Sequence, residues 1–192
     1  MYNALNKAIS LSTRDVVGIL HSDDVFYATD ILSQYAATFK QTDADVVYAN
    51  GLYISDNRRD AMLGVSENNE KIKRIYRSSP FKSWYLYFGW IPLHTTIFVR
   101  REVFANYGLY DESYSIASDY EISLRWFTRT ELKKVFLNRM VVKMGMGGKS
   151  TSMALQKKKS TEDARVLKQY KLWGKFTLAF KILRKIPQYL MC

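Results

Sequence analysis

The 192-residue sequence lacks several features that would assign it to a specialised class of protein. Its single cysteine is Cys192, so no disulfide can form within the chain, and a cytoplasmic location is compatible with that composition. No run of about 18 apolar residues is present, and we therefore predict no transmembrane helix. Helix-turn-helix, zinc-finger and RNP patterns are also absent, which leads us to expect no nucleic-acid partner.

The sequence does contain an ordinary globular balance of residues with a strong excess of positive charge. Hydrophobic residues make up 47% and charged residues 24%, while the net charge is +11. This charge favours an anionic partner, such as nucleic acid, a membrane surface or a phosphorylated substrate, and does not choose among them. Aromatic residues make up 15% of the chain, and they fit either a packed core or a ligand cleft.

Hydrophobic periodicity predicts an α/β fold. Apolar residues at helical spacing predict helices over residues 2–12, 30–40, 101–107, 119–128 and 160–190. Short apolar runs predict strands over residues 16–20, 45–49, 95–99, 134–137 and 140–144. The alternation of the first two helices with the first two strands predicts parallel pairing. Residues 55–80 are polar and charged, which predicts an excursion from the sheet.

The most informative local feature is an apolar run, Val16–Leu20, followed closely by the adjacent carboxylates of Asp23 and Asp24. Two adjacent carboxylates repel each other unless a cation or a hydrogen-bond donor compensates them. One interpretation is a divalent-cation site at the carboxyl end of a strand, where ligands bind in open α/β sheets. The other is a helix N-cap, with Asp23 or Asp24 capping a segment from Tyr27 onward.

Several short segments resemble, in the right order, the family 2 glycosyltransferases, which have the GT-A fold and build bacterial surface polysaccharides. The resemblance rests on Tyr2–Ile9, Asp15–Asp24, Asp45–Asn50, Pro92–Arg101, Gly108–Glu112, Ala117–Glu121 and Gly147–Ser150. It implies a truncated, Rossmann-like GT-A sheet in a partial catalytic domain over residues 1–152, followed by a helical tail over 153–192. Met1 aligns within the helix before the family's metal-binding strand, so the first two βα units of the nucleotide-binding half are expected to be missing.

The resemblance implies transfer of a sugar, with inversion, from a nucleotide-diphosphate sugar to an acceptor hydroxyl, in surface polysaccharide or lipid-linked glycan synthesis. Asp23 and Asp24 would hold Mg²⁺ or Mn²⁺, which neutralises the leaving diphosphate. Asp119 matches the family's general base, which takes the proton of the acceptor hydroxyl. Its structural alternative is the N-cap of a helix beginning near Tyr120.

Further residues match family positions near the donor or acceptor. By resemblance, His94 faces the active site, Asn6 and Lys7 lie near the diphosphate, and Gly148 belongs to a glycine-rich loop near the end of the catalytic domain. The structural alternatives are a buried histidine, a solvated helix face and a flexible lid. His21 stands where the family commonly has Asn or Asp, and it either ligates a metal or hydrogen-bonds nearby.

The tail over 153–192 has the pattern of a basic amphipathic helix. Lys157–Lys159 begin it, and apolar residues then recur at helical spacing among lysines and arginines, from Leu172 to Ile186. This pattern is typical of a helix lying on an anionic membrane, which would place the protein in the cytoplasm at the inner face of the cell membrane. Two alternatives stay open: the tail packs back onto the domain, and the chain is a non-catalytic, membrane-associated binding module.

Overall fold

The computed structural model describes residues 1–55, 71–145 and 153–190. The helices are α1 Tyr2–Leu11, α2 Ile31–Thr42, α3 Arg101–Tyr107, α4 Ser118–Phe127, α5 Met153–Gln169, α6 Lys175–Leu183 and α7 Ile186–Leu190. The strands are β1 Val16–Gly18, β2 Asp24–Phe26, β3 Val46–Ile54, β4 Ile72–Tyr76, β5 Phe98–Arg100 and β6 Lys134–Gly145. Two 3₁₀ segments, Ser83–Phe88 and His94–Thr96, precede β5.

The described strands form one mixed sheet in the order β1-β5-β3-β6-β2, with β4 pairing with β3 as well. The β3–β6 pairing is parallel, and the other described pairings are antiparallel. The predicted parallel pairing thus occurs between β3 and β6, whereas β1 and β3 do not pair directly. Strand β5 lies between them, because Val99 pairs with Val17 on one side and with Val46 on the other.

Strand β3 separates two apolar cores, because alternate side chains of a strand point to opposite faces of the sheet. Val46 and Tyr48 pack in one core with α1, α3, α4 and α5. Val47 and Ala49 pack in the other, mainly against α2. Helices thus cover both faces of the sheet, and the α/β prediction is confirmed.

Strand β1 ends at Gly18, two residues earlier than predicted. A Cβ on Gly18 would lie 2.4 Å from Cε1 of Phe98, its partner across the strand pair, so this position requires glycine. The chain then turns, and Asp24 opens β2 instead of capping a helix. The next helix, α2, begins at Ile31 with Asp30 as its N-cap residue. The N-cap interpretation of Asp23 and Asp24 is therefore wrong.

Other predicted boundaries shift for identifiable reasons. The strand predicted over 95–99 begins as a 3₁₀ turn, since the Thr96 hydroxyl donates to the Leu93 carbonyl at 2.7 Å. The strands predicted over 134–137 and 140–144 are one strand, β6, with register shifts opposite Asn50. The predicted polar excursion contains β4, and the part of it over 56–70 lies outside the described residues. Helix α3 stops at Gly108 as predicted, where the backbone takes a positive φ of 88°.

The first tail helix, α5, belongs to the main core. Val166 and Leu167 are fully buried there, in the same cluster as Tyr48 of the central strand. Helix α7 is held against β4 by Arg74, which donates to the Gln188 side chain and lies 5.5 Å from the Tyr189 ring centroid. The alternative that the tail packs back onto the domain therefore describes these two helices.

Helix α6 turns much of its polar face inward. Thr177 is fully buried and the Lys181 side chain is 14% exposed, whereas Phe176 is 72% exposed. Six exposed apolar residues of α6, α7 and the preceding turn recur every three or four positions and form what we call the outer stripe: Trp173, Phe176, Phe180, Leu183, Ile186 and Leu190; Ile182 and Tyr189 are exposed as well. Among the described residues, no helix combines the length and apolar character needed to cross a membrane.

Candidate active site

A cavity of about 510 Å³ gathers residues that are far apart in the sequence. Its walls come from the turn before β2, the 3₁₀ segment before β5, the first turn of α4, the end of β6, and helices α5 and α6. Four predicted site residues line it: Asp23, Asp24, His94 and Asp119.

The two adjacent carboxylates are fixed by a tight turn and by the end of β6. The Asp24 N–H donates to the His21 carbonyl at 3.0 Å, and the Gly145 N–H donates to the Asp23 carbonyl at 3.2 Å. A Cβ on Gly145 would lie 3.1 Å from that carbonyl oxygen, so glycine allows β6 to approach this closely. Asp23 is half-buried and Asp24 is buried, and both line the cavity.

The donor set of Asp23 and Asp24 fits a hard divalent cation that is completed by substrate. Mg²⁺ is usually held by one or two carboxylates together with substrate phosphates and water. In the part of the chain that the structure describes, no group of three or more His, Cys, Asp or Glu residues could hold a metal. Two carboxylates beside an open cavity match the substrate-completed arrangement, and the metal itself stays a prediction.

Asp119 lies in the first turn of α4, where the helix N-terminus favours negative charge. Its Oδ1 accepts the Tyr120 N–H at 2.8 Å, and its backbone carbonyl accepts the Ser123 hydroxyl at 2.7 Å. The helix begins at Ser118, with Ala117 as its N-cap residue. The interpretation of Asp119 as the cap of a helix beginning near Tyr120 is therefore wrong.

The segment that leads into Asp119 is held by one carboxylate of α5. Glu162 accepts the N–H groups of Ser115 at 3.0 Å, Ile116 at 2.8 Å and Ala117 at 2.9 Å. Burial tends to raise the pKa of Glu162, but these backbone donors outweigh it and hold the pKa below its ordinary value. The tail thus positions the loop that delivers the candidate base.

His94 is neutral at physiological pH. Burial lowers its pKa to about 4, the charge of Asp119 opposes this shift, and His21 reinforces it. Its Nε2 lies 2.6 Å from the Tyr110 hydroxyl, and either tautomer of the neutral ring satisfies that hydrogen bond. The His21 and His94 ring centroids are 6.4 Å apart, so two imidazoles stand together at the cavity.

Asn6 and Lys7 are not brought to the cavity. Asn6 joins α1 to the segment after α3, since its side chain accepts the Tyr110 N–H and donates to the Tyr110 carbonyl, both at 2.9 Å. Lys7 is exposed in a shallow depression beside Asn6. Gly148 lies outside the described residues. For Asn6 and Lys7 the geometry agrees with the helix-face alternative, and their donor-binding role stays a prediction.

Sequence reasoning missed several residues that line the cavity. Tyr53 and Tyr76 come from the paired strands β3 and β4, and Lys159 and Lys181 come from the tail. The sequence pattern groups both lysines with the charges of a membrane-binding helix. The spacing of Thr177, Lys181 and Lys185 would have shown one polar helix face, but nothing in the pattern shows that this face points inward.

Residues 1–108 match the family model described as Glycosyl transferase family 2. This match covers more than half of the chain, and the chain therefore belongs to glycosyl transferase family 2. Among curated proteins, a PGL/p-HBAD biosynthesis glycosyltransferase of Mycobacterium bovis is 25% identical over 155 residues, which are 80% of this chain and 54% of that protein. A protein of the same description from Mycobacterium tuberculosis matches equally well. The chain thus spans about half the length of these curated relatives.

Solved structures support the fold. The S. aureus TarS structure has a TM-score of 0.53 at 16% identity and covers 75% of this chain and 24% of that chain. The structure of TarS 1–349 gives a TM-score of 0.51 at 14% identity, over 75% of this chain and 40% of that chain. At this level of identity the likeness concerns the fold alone, and it confirms the predicted α/β fold of GT-A type.

Proposed function

We propose that the chain provides the metal-binding and base-bearing side of an active site that transfers a sugar, with inversion, from a nucleotide-diphosphate sugar to an acceptor hydroxyl. The proposed setting is surface polysaccharide or lipid-linked glycan synthesis. The observation that carries the proposal is the convergence of Asp23, Asp24 and Asp119 on one cavity, although about 95 residues separate the pair from Asp119. Family membership supplies the reaction class.

The roles of the carboxylates follow from the chemistry of glycosyl transfer. Asp119 takes the proton of the acceptor hydroxyl while the oxygen attacks the anomeric carbon, and the bond from that carbon to the diphosphate breaks. Attack from the face opposite the leaving group inverts the configuration. Asp23 and Asp24 would hold Mg²⁺ or Mn²⁺, which would supply positive charge to neutralise the leaving diphosphate.

Neutral His94 suits a hydrogen-bonding role at this site. A protonated imidazole would attract the three carboxylates and compete with the cation, whereas a neutral ring offers one donor and one acceptor. Tyr110 fixes the ring through Nε2, which leaves Nδ1 for a sugar hydroxyl or a phosphate oxygen.

The proposal is tested by release of nucleoside diphosphate from a panel of UDP-, GDP- and dTDP-sugars with Mn²⁺, using the full 192-residue chain. Asp119→Asn should lower kcat by about 100-fold or more, the contribution typical of a general base. The matched control is Asp43→Asn, which alters an exposed carboxylate outside the cavity at a left-handed position that asparagine tolerates. Equal rates for wild type and Asp119→Asn would overturn the assignment of the base.

The metal site has its own test, which does not need a nucleotide-sugar donor. Mn²⁺ binding in the presence of inorganic diphosphate is measured by electron paramagnetic resonance. Asp24→Asn should weaken binding about tenfold or more, because a charged ligand is lost. Unchanged affinity in both Asp23→Asn and Asp24→Asn would contradict the site.

We also propose that the outer stripe lies on an anionic membrane at the cytoplasmic face of the cell membrane. Its large apolar side chains are exposed in the folded chain, and residues 153–192 contain ten basic and two acidic residues. The membrane would receive the apolar face, and its anionic headgroups would balance the surrounding charge.

Vesicle flotation tests this placement, with phosphatidylcholine vesicles that contain or lack phosphatidylglycerol. The double variant Phe176→Ser/Leu183→Ser should partition at least about tenfold less, since each buried side chain of this size contributes about 1.5–3 kcal/mol. The matched control Leu11→Ser/Leu32→Ser removes equally exposed apolar groups elsewhere. Equal flotation of the two double variants would refute the placement.

A further inference from the structure

The cavity has a basic wall that the proposed chemistry leaves unused. The carboxylates of Asp23, Asp24 and Asp119 account for a cation and a base. Lys159 of α5 and Lys181 of α6 line the same cavity. Both follow the part of the chain that matches the family model, which ends at residue 108.

The two lysines share one buried carboxylate. Lys181 Nζ lies 2.9 Å from Asp163 Oδ2, and Lys159 Nζ lies 3.9 Å from the same oxygen. The Asp163 side chain is 5% exposed, while those of Lys159 and Lys181 are 18% and 14% exposed. Two ammonium groups therefore share one carboxylate on this wall with restricted access to water, and the charge of Asp119 also attracts Lys181.

Further cations add to the positive charge of this wall. Burial lowers the pKa of Lys185, and the charges of Lys159 and Arg74 lower it further, while Asp163 opposes them. Burial and the charge of Lys159 lower the pKa of Lys181 to about 8, against the attraction of Asp163 and Asp119. Like charges brought together away from water destabilise one another, and an anion that enters the cavity relieves that cost.

The aromatic side chains of this wall contact both Lys181 and a further cation. Lys181 Nζ lies 3.2 Å from the Tyr120 ring centroid, and the rings of Tyr53 and Tyr76 line the same cavity. Arg74 lies 5.0 Å and 5.6 Å from the Tyr53 and Tyr76 ring centroids, so these aromatic side chains add a third cation near the two lysines. Lysine is a common phosphate-binding residue because its ammonium acts as a compact point charge.

We propose that Lys159 and Lys181 form a subsite for a phosphate group of the substrate. This positively charged wall belongs to the same cavity as the carboxylates of Asp23, Asp24 and Asp119. This inference rests on the proposed function for its substrate class. The phosphate belongs either to the diphosphate of the donor or to a phosphorylated acceptor, since both present the same chemistry to the two ammonium groups.

The test is calorimetric titration of the full chain with two probes, inorganic diphosphate and glucose 6-phosphate, each with and without Mn²⁺. Lys159→Met and Lys181→Met should each weaken phosphate binding about tenfold, as expected for loss of one charged contact. Lys181→Arg keeps the charge and should restore most of the affinity. Lys175→Met is the control, because Lys175 is exposed on the same helix.

The two arms distinguish the sources of the phosphate. Binding of diphosphate that strengthens with Mn²⁺ assigns the subsite to the donor, and metal-independent binding of glucose 6-phosphate assigns it to an acceptor. Thermal unfolding of each variant separates lost binding from lost folding. Wild-type affinity for both probes in folded Lys159→Met and Lys181→Met, or no binding by the wild type, overturns the inference.

Failure of the proposed reaction would be recognised separately. Asp119→Asn removes the candidate base and leaves both lysines in place, so it should lose nucleoside diphosphate release and retain phosphate binding. If phosphate binding depends on the two lysines but the chain shows no transferase activity, the subsite is upheld and the proposed reaction is contradicted.

Discussion

Replacement of Glu162 by glutamine should destabilise the segment that carries Asp119 into the cavity. Glu162 Oε2 accepts two backbone N–H groups and Oε1 accepts one, at distances of 2.8–3.0 Å. Glutamine keeps a single acceptor oxygen, which we expect to occupy the position that serves Ile116 and Ala117. Its NH₂ group then faces the Ser115 N–H, so two donors meet and the backbone group loses its acceptor.

The expected cost is about 1–3 kcal/mol, the usual penalty for leaving one such group unsatisfied. For a chain of this size, that free energy lowers Tm by about 2–12 °C. Urea denaturation followed by circular dichroism measures the same difference at 25 °C. Glu102→Gln is the control, because it changes an exposed glutamate on α3 and should alter stability by less than about 0.5 kcal/mol.

The pH dependence of the free energy of unfolding provides the most specific test of this prediction. The folded state holds the pKa of Glu162 below its ordinary value of 4.5, so the stabilisation is complete above that value. It is lost as the pH falls through the folded-state pKa, where the carboxylate becomes protonated. The difference between wild type and Glu162→Gln should therefore be constant from pH 7 to pH 6 and shrink toward pH 3. A difference that is absent at pH 7, or equal at pH 7 and pH 3, would refute the reasoning.

Three further predictions concern other parts of the fold. Gly18→Ala should lower the free energy of unfolding by about 1–3 kcal/mol in urea denaturation, because the new Cβ would overlap the Phe98 ring. Adding Phe98→Leu to this variant should recover part of the loss, and an unchanged stability of Gly18→Ala would contradict the close packing. The His94 imidazole should titrate near pH 4 in NMR spectra, and a midpoint near its ordinary 6.5 would show that burial does not hold the ring neutral. Arg74→Leu should speed amide hydrogen exchange in residues 186–190, since α7 loses its hydrogen bond to β4, and unchanged exchange would exclude that anchor.

The local hydrophobic pattern predicted secondary structure well where all residues of a segment share the same surroundings. The run from Val46 to Ala49 is apolar on both faces because helices cover both sides of β3, and such a run is readable without tertiary information. The stop of α3 at Gly108 is equally local. The place of β5 between β1 and β3 was not predictable this way, because strand order depends on pairing between distant segments.

The residues of the candidate site also differ in whether local sequence could identify them. The family resemblance of short segments identified Asp23, Asp24 and Asp119 as site residues, and in the structure all three line the same cavity. It could not select Lys181, because an amphipathic helix is expected to place its apolar face toward the core. In α6, Lys181 lines the polar cavity and Thr177 is buried, while Phe176 of the same helix is exposed.

The arrangement of α6 would make this helix the shared boundary of the two proposed ligands. A lipid surface on the outer stripe would restrain the helix from one side, and a phosphate on Lys181 would restrain it from the other. If each restraint stabilises the same docked position, the two binding equilibria are linked, and each ligand raises the affinity for the other by the same factor. Adsorption to a membrane would then act as a positive effector of substrate binding, and saturating substrate would retain the protein on the membrane.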